Sequence, residues 1–478
     1  MGRYIDKFNT APTVFNFEDI MILPGLSKVE PNNIKISTKF SKNIKLNIPF
    51  VSSPMDTVTE AQMAIILARL GGIGVIHRNC STEEEVAMVQ QVKRSESFII
   101  KDVVTIDKDA KVSEATELMK KNNISGLPVV ENGKLVGIIT GRDVRFCDQN
   151  IKVSEAMTKD VVSVKKDIKE AEAIETLKSN RIEKLPVVDE NNNLFGLITY
   201  RDIILREQYI DATRDNEGRL AVAAAISPFD LDRAKKLSKY ADALLIDVAH
   251  FYNSNVISAT KKIMSEVDNI DIIIGNLGTR EEVLDSISQL EDVAGLRMGI
   301  GSGSICITTD VTKAGAPTLF AVSQAADALE ELGSDIPIIA DGGIRNPGDV
   351  AAALAFGASS AMMGYVLASC KESPSALTQI GGKYYKTHRG MGSPAARAKR
   401  MALDRYATFS KNIAEGIELL IPYTGEVSDV IAEFTSGIKA AMGYAGASNI
   451  EEMKRNARIA KVAQKRSAKI KIEDIEKV

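Results

Sequence analysis

The sequence predicts an α/β protein: a (β/α)8 barrel with a smaller, internally repeated unit inserted into one of its loops. Three observations predict this. Eight apolar, β-rich runs recur along the chain with helical segments between them. These runs are continuous rather than alternating, which suits strands buried on both faces of a parallel sheet. One stretch between the second and third runs also occurs twice in tandem.

In chain order the runs are Ile48–Ser53, Ile73–His77, Ala221–Ser227, Ala243–Ala249, Ile272–Asn276, Gly295–Ile300, Pro337–Gly342 and Ser360–Tyr365. Several end in polar or glycine residues, namely Ser53, Asp247, Asn276, Gly299, Asp341 and Gly364. In a barrel of this kind the strand C-termini form the active face, so these residues are expected to converge there.

The repeat sits after the second run and its helix. Lys101-Asp102-Val103-Val104-Thr105-Ile106 recurs from Lys159, and Leu127-Pro128-Val129-Val130 recurs from Leu185, both 58 residues on. Gly137-Ile138-Ile139-Thr140-Gly141-Arg142-Asp143 recurs from Gly196 at an offset of 59, so the second copy carries one extra residue in its Asp189–Asn193 turn. Each copy reads strand, helix, strand, turn, strand, helix. Two copies are too few for a solenoid and suit a pair that buries its apolar faces together. The expected boundaries are a barrel part at 1–94, the repeat at 95–207 and the rest of the barrel at 208–478, with a flap at about 371–425.

Composition narrows the function classes. A chain of 478 residues is too long for one ordinary domain. Sixty Lys and Arg against 63 Asp and Glu give no global pull toward nucleic acid or anionic membrane. The basic stretch after Met453 reads as a solvated helix face. Four widely spaced cysteines without a CxxC pair, and only three histidines, argue against a zinc site or a disulfide framework. No apolar run reaches the ~18 residues of a membrane span, and the N-terminus has no signal-peptide pattern. The expectation is a cytoplasmic protein with no nucleic-acid or membrane partner.

Two glycine-rich loops carry the chemistry. Gly301-Ser302-Gly303-Ser304-Ile305-Cys306-Ile307-Thr308-Thr309 follows the sixth run. Glycines let the backbone approach a ligand, successive carbonyls can ligate a cation, and N–H groups with Ser304 can hold a phosphate. A partly exposed cysteine here can attack a carbon electrophile as its thiolate. Cys80 and Cys370 read as small buried hydrophobes instead, and Cys147 as either buried or surface. The second loop is Asp341-Gly342-Gly343-Ile344-Arg345. An Asp at a strand end can accept two sugar hydroxyls while glycine N–H groups meet a phosphate. Asp-Gly is also a common turn. Gly364 closes the next run, where such barrels often complete a phosphate site.

These motifs resemble the IMP dehydrogenase family, which shares its barrel with the GMP reductases. The resemblance runs from about Phe17 to Gly446 and rests on Ser52–Glu60, Gly301–Thr308, Ala340–Ile344, Arg389-Gly390-Met391-Gly392-Ser393 and Asp404-Arg405-Tyr406. The repeat, with its Thr-x-x-Asp endings, resembles the tandem CBS module that this family carries as an insertion.

The resemblance implies an NAD-dependent oxidation of IMP to XMP in guanine nucleotide biosynthesis. Cys306 would add to purine C2 and a hydride would leave for NAD; the resulting thioimidate would then be hydrolysed. It further implies Thr308, Arg405, Tyr406 and Glu415 in water activation, Glu415 also near the substrate. An arginine base is unexpected from side-chain chemistry alone. Ser304, Asp341, Gly343 and Gly364 would bind the nucleotide, Met391 and Gly392 its base. Asp247, Asn276 and Gly299 would serve the cofactor. The carbonyls of Gly301, Gly303 and Cys306 would hold a potassium ion. Thr140, Asp143, Thr199 and Asp202 would contact adenine or guanine nucleotides at the CBS pair, although Thr and Asp there also suit helix caps. A homotetramer is implied.

The sequence departs from the family pattern at three places. Tyr365 stands where a Ser is usual in the phosphate loop. His388 stands where a Tyr is usual; it is expected to pair with phosphate, more strongly when protonated below ~6.5. Phe251-Tyr252 follow Asp247–His250 where a Gly is common. GMP reductase is the nearest alternative reading, and a non-catalytic nucleotide sensor another. Arg405-Tyr406 favours the dehydrogenase, because the reductase needs no water activation.

Overall fold

A computed structural model describes residues 3–96, 98–101, 103–122, 124–393, 396 and 416–462. The described residues fall into two compact units. One comprises those up to Val92, Asp211–Asp215 and those from Ala221 on; the other comprises Lys93–Ile210 and Asn216–Leu220.

The larger unit is a closed barrel of eight strands: β1 (Phe50–Ser52), β2 (Ile73–Ile76), β3 (Val222–Ile226), β4 (Ala243–Ile246), β5 (Asp271–Leu277), β6 (Gly295–Met298), β7 (Ile338–Asp341) and β8 (Ser360–Met363). Each corresponds to one apolar run. Every neighbouring pair is parallel, and the barrel closes where Val222–Ala224 of β3 meet Gly74–Ile76 of β2 and where Ala361–Met363 of β8 meet Phe50–Ser52 of β1. Parallel neighbours need crossovers, and helices supply them: α1 (Ala61–Arg69), α2 (Thr82–Arg94), α3 (Leu231–Leu237), α4 (Ser254–Glu266), α5 (Arg280–Gln289), α6 (Thr318–Leu332), α7 (Pro347–Ala355) and α8 (Val427–Ala445).

Side chains fill the barrel. Val51, Val75, Ala223, Ala225, Leu245, Ile273, Ile339 and Met362 pack with Phe40 and Leu46 in one apolar cluster. Phe40 is fully buried there, and truncating a buried Phe to Ala typically costs about 3–5 kcal/mol. A second cluster lies between the sheet and its helices, where Phe50 meets Phe434 of α8 edge-on at 6.1 Å. Beyond β8, the antiparallel strands Leu377–Ile380, Lys383–Arg389 and Glu418–Pro422 form a separate three-stranded sheet.

The smaller unit repeats one topology. Ile106–Asp107 pairs in parallel with Gly126–Glu131, which pairs antiparallel with Lys134–Thr140; Val164–Lys165, Lys184–Val188 and Leu194–Thr199 do the same. The two hairpin turns bond to each other through Leu135 N–H to Asn192 O and Leu194 N–H to Gly133 O, both 3.0 Å. The Thr and Asp of each copy act as helix caps. Asp143 Oδ2 accepts from Thr140 N–H at 2.7 Å and from Thr140 Oγ1 at 2.8 Å. Asp202 N–H donates to Thr199 Oγ1 at 3.2 Å, and Asp202 Oδ1 also accepts from Glu96 N–H at 3.3 Å.

Candidate active site

The strand ends meet as expected. A cavity at the C-terminal face of the barrel is lined by Ser53, Asn276, Gly299, Gly301, Gly303, Ser304, Cys306, Thr308, Asp341, Gly343, Gly364, Tyr365, His388, Met391 and Gly392, among others. Asp247 is not on that wall. Its side chain is fully buried, with Oδ1 2.9 Å from Arg297 Nη1 and Oδ2 3.5 Å from Arg78 Nε.

The cysteine loop leaves β6 through Gly299, whose φ is +123°. A Cβ there would stand 2.3 Å from the carbonyl oxygen of Asp341, so only glycine lets β6 and β7 approach so closely. Gly301 follows at φ +79°, where a Cβ would reach Thr309 Cγ2 at 2.5 Å. Cys306 N–H then bonds Gly303 O at 3.0 Å, closing a tight turn. The turn sets Cys306 Sγ 3.2 Å from Thr308 Oγ1. Cys306 is half-buried and forms an isolated antiparallel bridge with Gly416.

Thr318, at the start of α6, ties this loop to the Asp341 turn. Its Oγ1 is shared between the carbonyls of Asp341 (2.8 Å) and Gly342 (2.9 Å) and lies 2.9 Å from Ser302 Oγ. Asp341 Oδ2 accepts from Asn276 Nδ2 and Arg297 Nε, each at 2.9 Å. Next to the cavity-lining His388 and Gly390, Arg389 grips Asp56 with two bonds of 2.6 and 3.0 Å, and Asn79 Nδ2 adds a third at 2.8 Å. Burial works to raise the Asp56 carboxyl, but the hydrogen bond and charge of Arg389 outweigh it and hold the group below the ordinary carboxylate range. This pair anchors the segment that runs on to Met391 and Gly392.

The two departing residues of the phosphate region both line the cavity. The Tyr365 and His388 rings meet edge-on at 6.1 Å, and His388 Nδ1 lies 3.4 Å from Thr57 Oγ1. Burial pushes the His388 imidazole down to about 4. It is therefore neutral near pH 7, and the protonation expected to strengthen a phosphate contact shifts to more acidic pH. Phe251 is fully buried, and Tyr252 donates its hydroxyl to Asp285 at 2.8 Å.

Cys80 and Cys370 are chemically quiet. Burial pushes the Cys80 thiol up to about 12 and the Cys370 thiol up to about 11. Arg405, Tyr406 and Glu415 lie outside the described residues. Among the described residues no group of three or more His, Cys, Asp or Glu is placed to hold a metal ion, and no helix is long and apolar enough to cross a membrane.

Sequence reasoning missed Arg297, Thr318 and the Asp56–Arg389 pair. A single arginine inside the apolar strand Gly295-Leu296-Arg297-Met298 was the available signal, since a buried charge needs a partner.

Comparison with known proteins places these features in a wider group. The family model described as "IMP dehydrogenase / GMP reductase domain" matches residues 14–470. Inosine-5′-monophosphate dehydrogenase of Korarchaeum cryptofilum is 52% identical over 472 residues, covering 98% of each chain. The protein of the same name from Thermoplasma acidophilum is 47% identical over 461 residues, covering 96% of this chain and 94% of that one. Among solved structures, a point variant of GMP reductase from Trypanosoma brucei in complex with guanosine 5′-monophosphate superposes with a TM-score of 0.88 at 34% identity, covering 96% and 97% of the two chains. GMP reductase from the same organism in complex with guanosine 5′-triphosphate gives 0.81 at 32% identity, covering 96% and 100%.

Proposed function

The chain belongs to the IMP dehydrogenase / GMP reductase family, and from that premise we propose how its cavity carries out the reaction. It is an IMP dehydrogenase, an NAD-dependent oxidoreductase that converts IMP to XMP. The observation that carries this reading is the 52% identity to a dehydrogenase over 98% of both chains.

Cys306 is the nucleophile. Its sulfur would give up its proton and add to purine C2, and the C2 hydrogen would leave with its electron pair to the hydride acceptor NAD. Water then attacks the thioimidate carbon, XMP departs and the thiol is restored. Thr308, 3.2 Å from the sulfur, would orient that water beside the carbon it attacks. Arg405 and Tyr406, with Glu415, are the residues we assign to activating it.

Asp341 takes the ribose hydroxyls; Ser304, Gly343, Gly364, Tyr365 and His388 take the phosphate; Met391 and Gly392 offer backbone groups to the base. Asn276 and Gly299 serve the nicotinamide side, with Asp247 behind them. The carbonyls of Gly301, Gly303 and Cys306 would hold a potassium ion. The tight turn at Gly303 and the left-handed Gly301 fit a cation bound by backbone oxygen, which would brace the loop that aims Cys306.

The smaller unit is read as a CBS pair taking adenine or guanine nucleotides at Thr140, Asp143, Thr199 and Asp202. The guanosine 5′-triphosphate complex of the trypanosomal relative supports a nucleotide in this family. Family membership implies a homotetramer, and four free thiols suit the cytoplasm.

The two solved structures compared above are GMP reductases, which keeps NADPH-dependent deamination of GMP as the second reading. Purified protein given IMP and NAD should produce NADH absorbance. Absence of NADH, together with NADPH oxidation on GMP, would assign the reductase instead.

A further inference from the structure

Arg297 is a charged residue in a buried strand, 3% exposed, and its guanidinium joins two carboxylates from different strands. Nη1 lies 2.9 Å from Asp247 Oδ1, at the end of β4. Nε and Nη2 each lie 2.9 Å from the same oxygen of Asp341, Oδ2, at the end of β7. Asn276 Nδ2 also donates to that oxygen at 2.9 Å while bonding Gly299 O at 2.7 Å.

Two hydrogen bonds and the Nη2 ion-pair contact thus converge on one oxygen of Asp341, and among the described residues none reaches Oδ1. Asp341 lines the cavity. Its carboxylate cannot rotate without breaking charge-assisted bonds, so one oxygen is committed to the protein and the other is left for a ligand. On the other side Arg78 Nη2 bonds the Asp247 carbonyl at 2.9 Å, which fixes Arg297's second partner. A planar fork can span two carboxylates in this way; an ammonium is a single point charge and cannot hold both orientations.

We propose that Arg297 is a positioning residue that locks Asp341 with Oδ1 presented to the nucleotide ribose and holds Asp247 in the same rigid frame. This rests on the reading that the ribose hydroxyls sit on Asp341. Arg297 acts on the ribose through Asp341.

The test uses the full-length protein in a Cys306→Ala background, where no chemistry occurs. Calorimetry measures the Kd of IMP and of 2′,3′-dideoxy-IMP for Arg297, Arg297→Lys and Arg297→Met, with thermal melting alongside. Loss of a buried charged hydrogen-bond network should weaken IMP by about 10- to 100-fold in Arg297→Met, leave the dideoxy ligand within about twofold, and give Arg297→Lys an intermediate value. Equal weakening of both ligands would mean a general structural effect and would overturn the proposal, as would unchanged IMP binding. Should Arg297→Met fail to fold, Arg297→Lys decides: its preference for IMP over the dideoxy ligand must fall, and an unchanged preference overturns the proposal. If the protein with Arg297 intact shows no preference for IMP, the ribose assignment to Asp341 fails first and takes the proposal with it.

Discussion

Cys306 Sγ lies 3.2 Å from Thr308 Oγ1, in a turn closed by the Cys306 N–H bond to Gly303 O. A nucleophile and a hydroxyl at that spacing can act in succession on one carbon. In the proposed reaction the sulfur would form the bond, and the hydroxyl would orient the water that breaks it.

Thr308→Ala should separate the two halves. Hydride transfer needs the thiol and not this hydroxyl, whereas hydrolysis needs a placed water. Losing one orienting or proton-handling group typically costs about 10²–10⁴-fold. Steady-state kcat should fall within that range while the first-turnover burst of NADH persists. Rapid-mixing absorbance checks this, and loss of the burst would place Thr308 in the first half.

Asp56→Asn should destabilise the protein and weaken IMP together. The Asp56 side chain is fully buried and that of Arg389 is 20% exposed. Breaking one partner of a buried pair typically costs about 3–5 kcal/mol; partial exposure of Arg389 puts the expected loss at or below the lower end. Because the pair anchors the approach to Met391 and Gly392, KM for IMP should rise while KM for NAD changes less. A drop in Tm with both KM values unmoved would confine the pair to stability.

His388 makes a pH prediction with a definite sign. Its folded pKa is depressed from 6.5 to about 4, so between those values the unfolded chain binds more protons. Stability from this group is fully present above pH 6.5 and is lost as pH falls toward 4. His388→Phe should flatten the pH dependence of Tm across that window. A slope identical to that of the parent would assign the acid sensitivity to other groups.

Thiol reactivity should rank by environment. With Cys80 at about 12 and Cys370 at about 11, neither is a thiolate at pH 8. Iodoacetamide followed by peptide mapping should label Cys306 and Cys147 first, and IMP should protect Cys306 alone. Early labelling of Cys370 would contradict its buried position.

The barrel was legible because a parallel strand buried on both faces leaves an unbroken apolar run, and each of the eight runs became a strand. The glycine loops were legible because close backbone approach excludes a Cβ, as at Gly299. What escaped depends on contacts between distant segments. The apolar run around Arg297 hints at a buried charge, but its partners Asp247 and Asp341 are not known until β4 and β7 stand beside β6. His388 lines the cavity wall, but its lowered pKa was not legible, because the burial that causes it comes from the fold around it. Asp247 sat at a strand end as expected, yet its carboxylate turned to Arg297 and Arg78 rather than to the cavity.

The most direct test of the account is acid-quench mass spectrometry of the protein mixed with IMP and NAD. The account predicts an NADH burst and a nucleotide adduct on the peptide containing Cys306, absent in Cys306→Ala, which should lose turnover by at least about a thousandfold while still binding IMP. NADH formed without an adduct, or an adduct on any other cysteine, would contradict it.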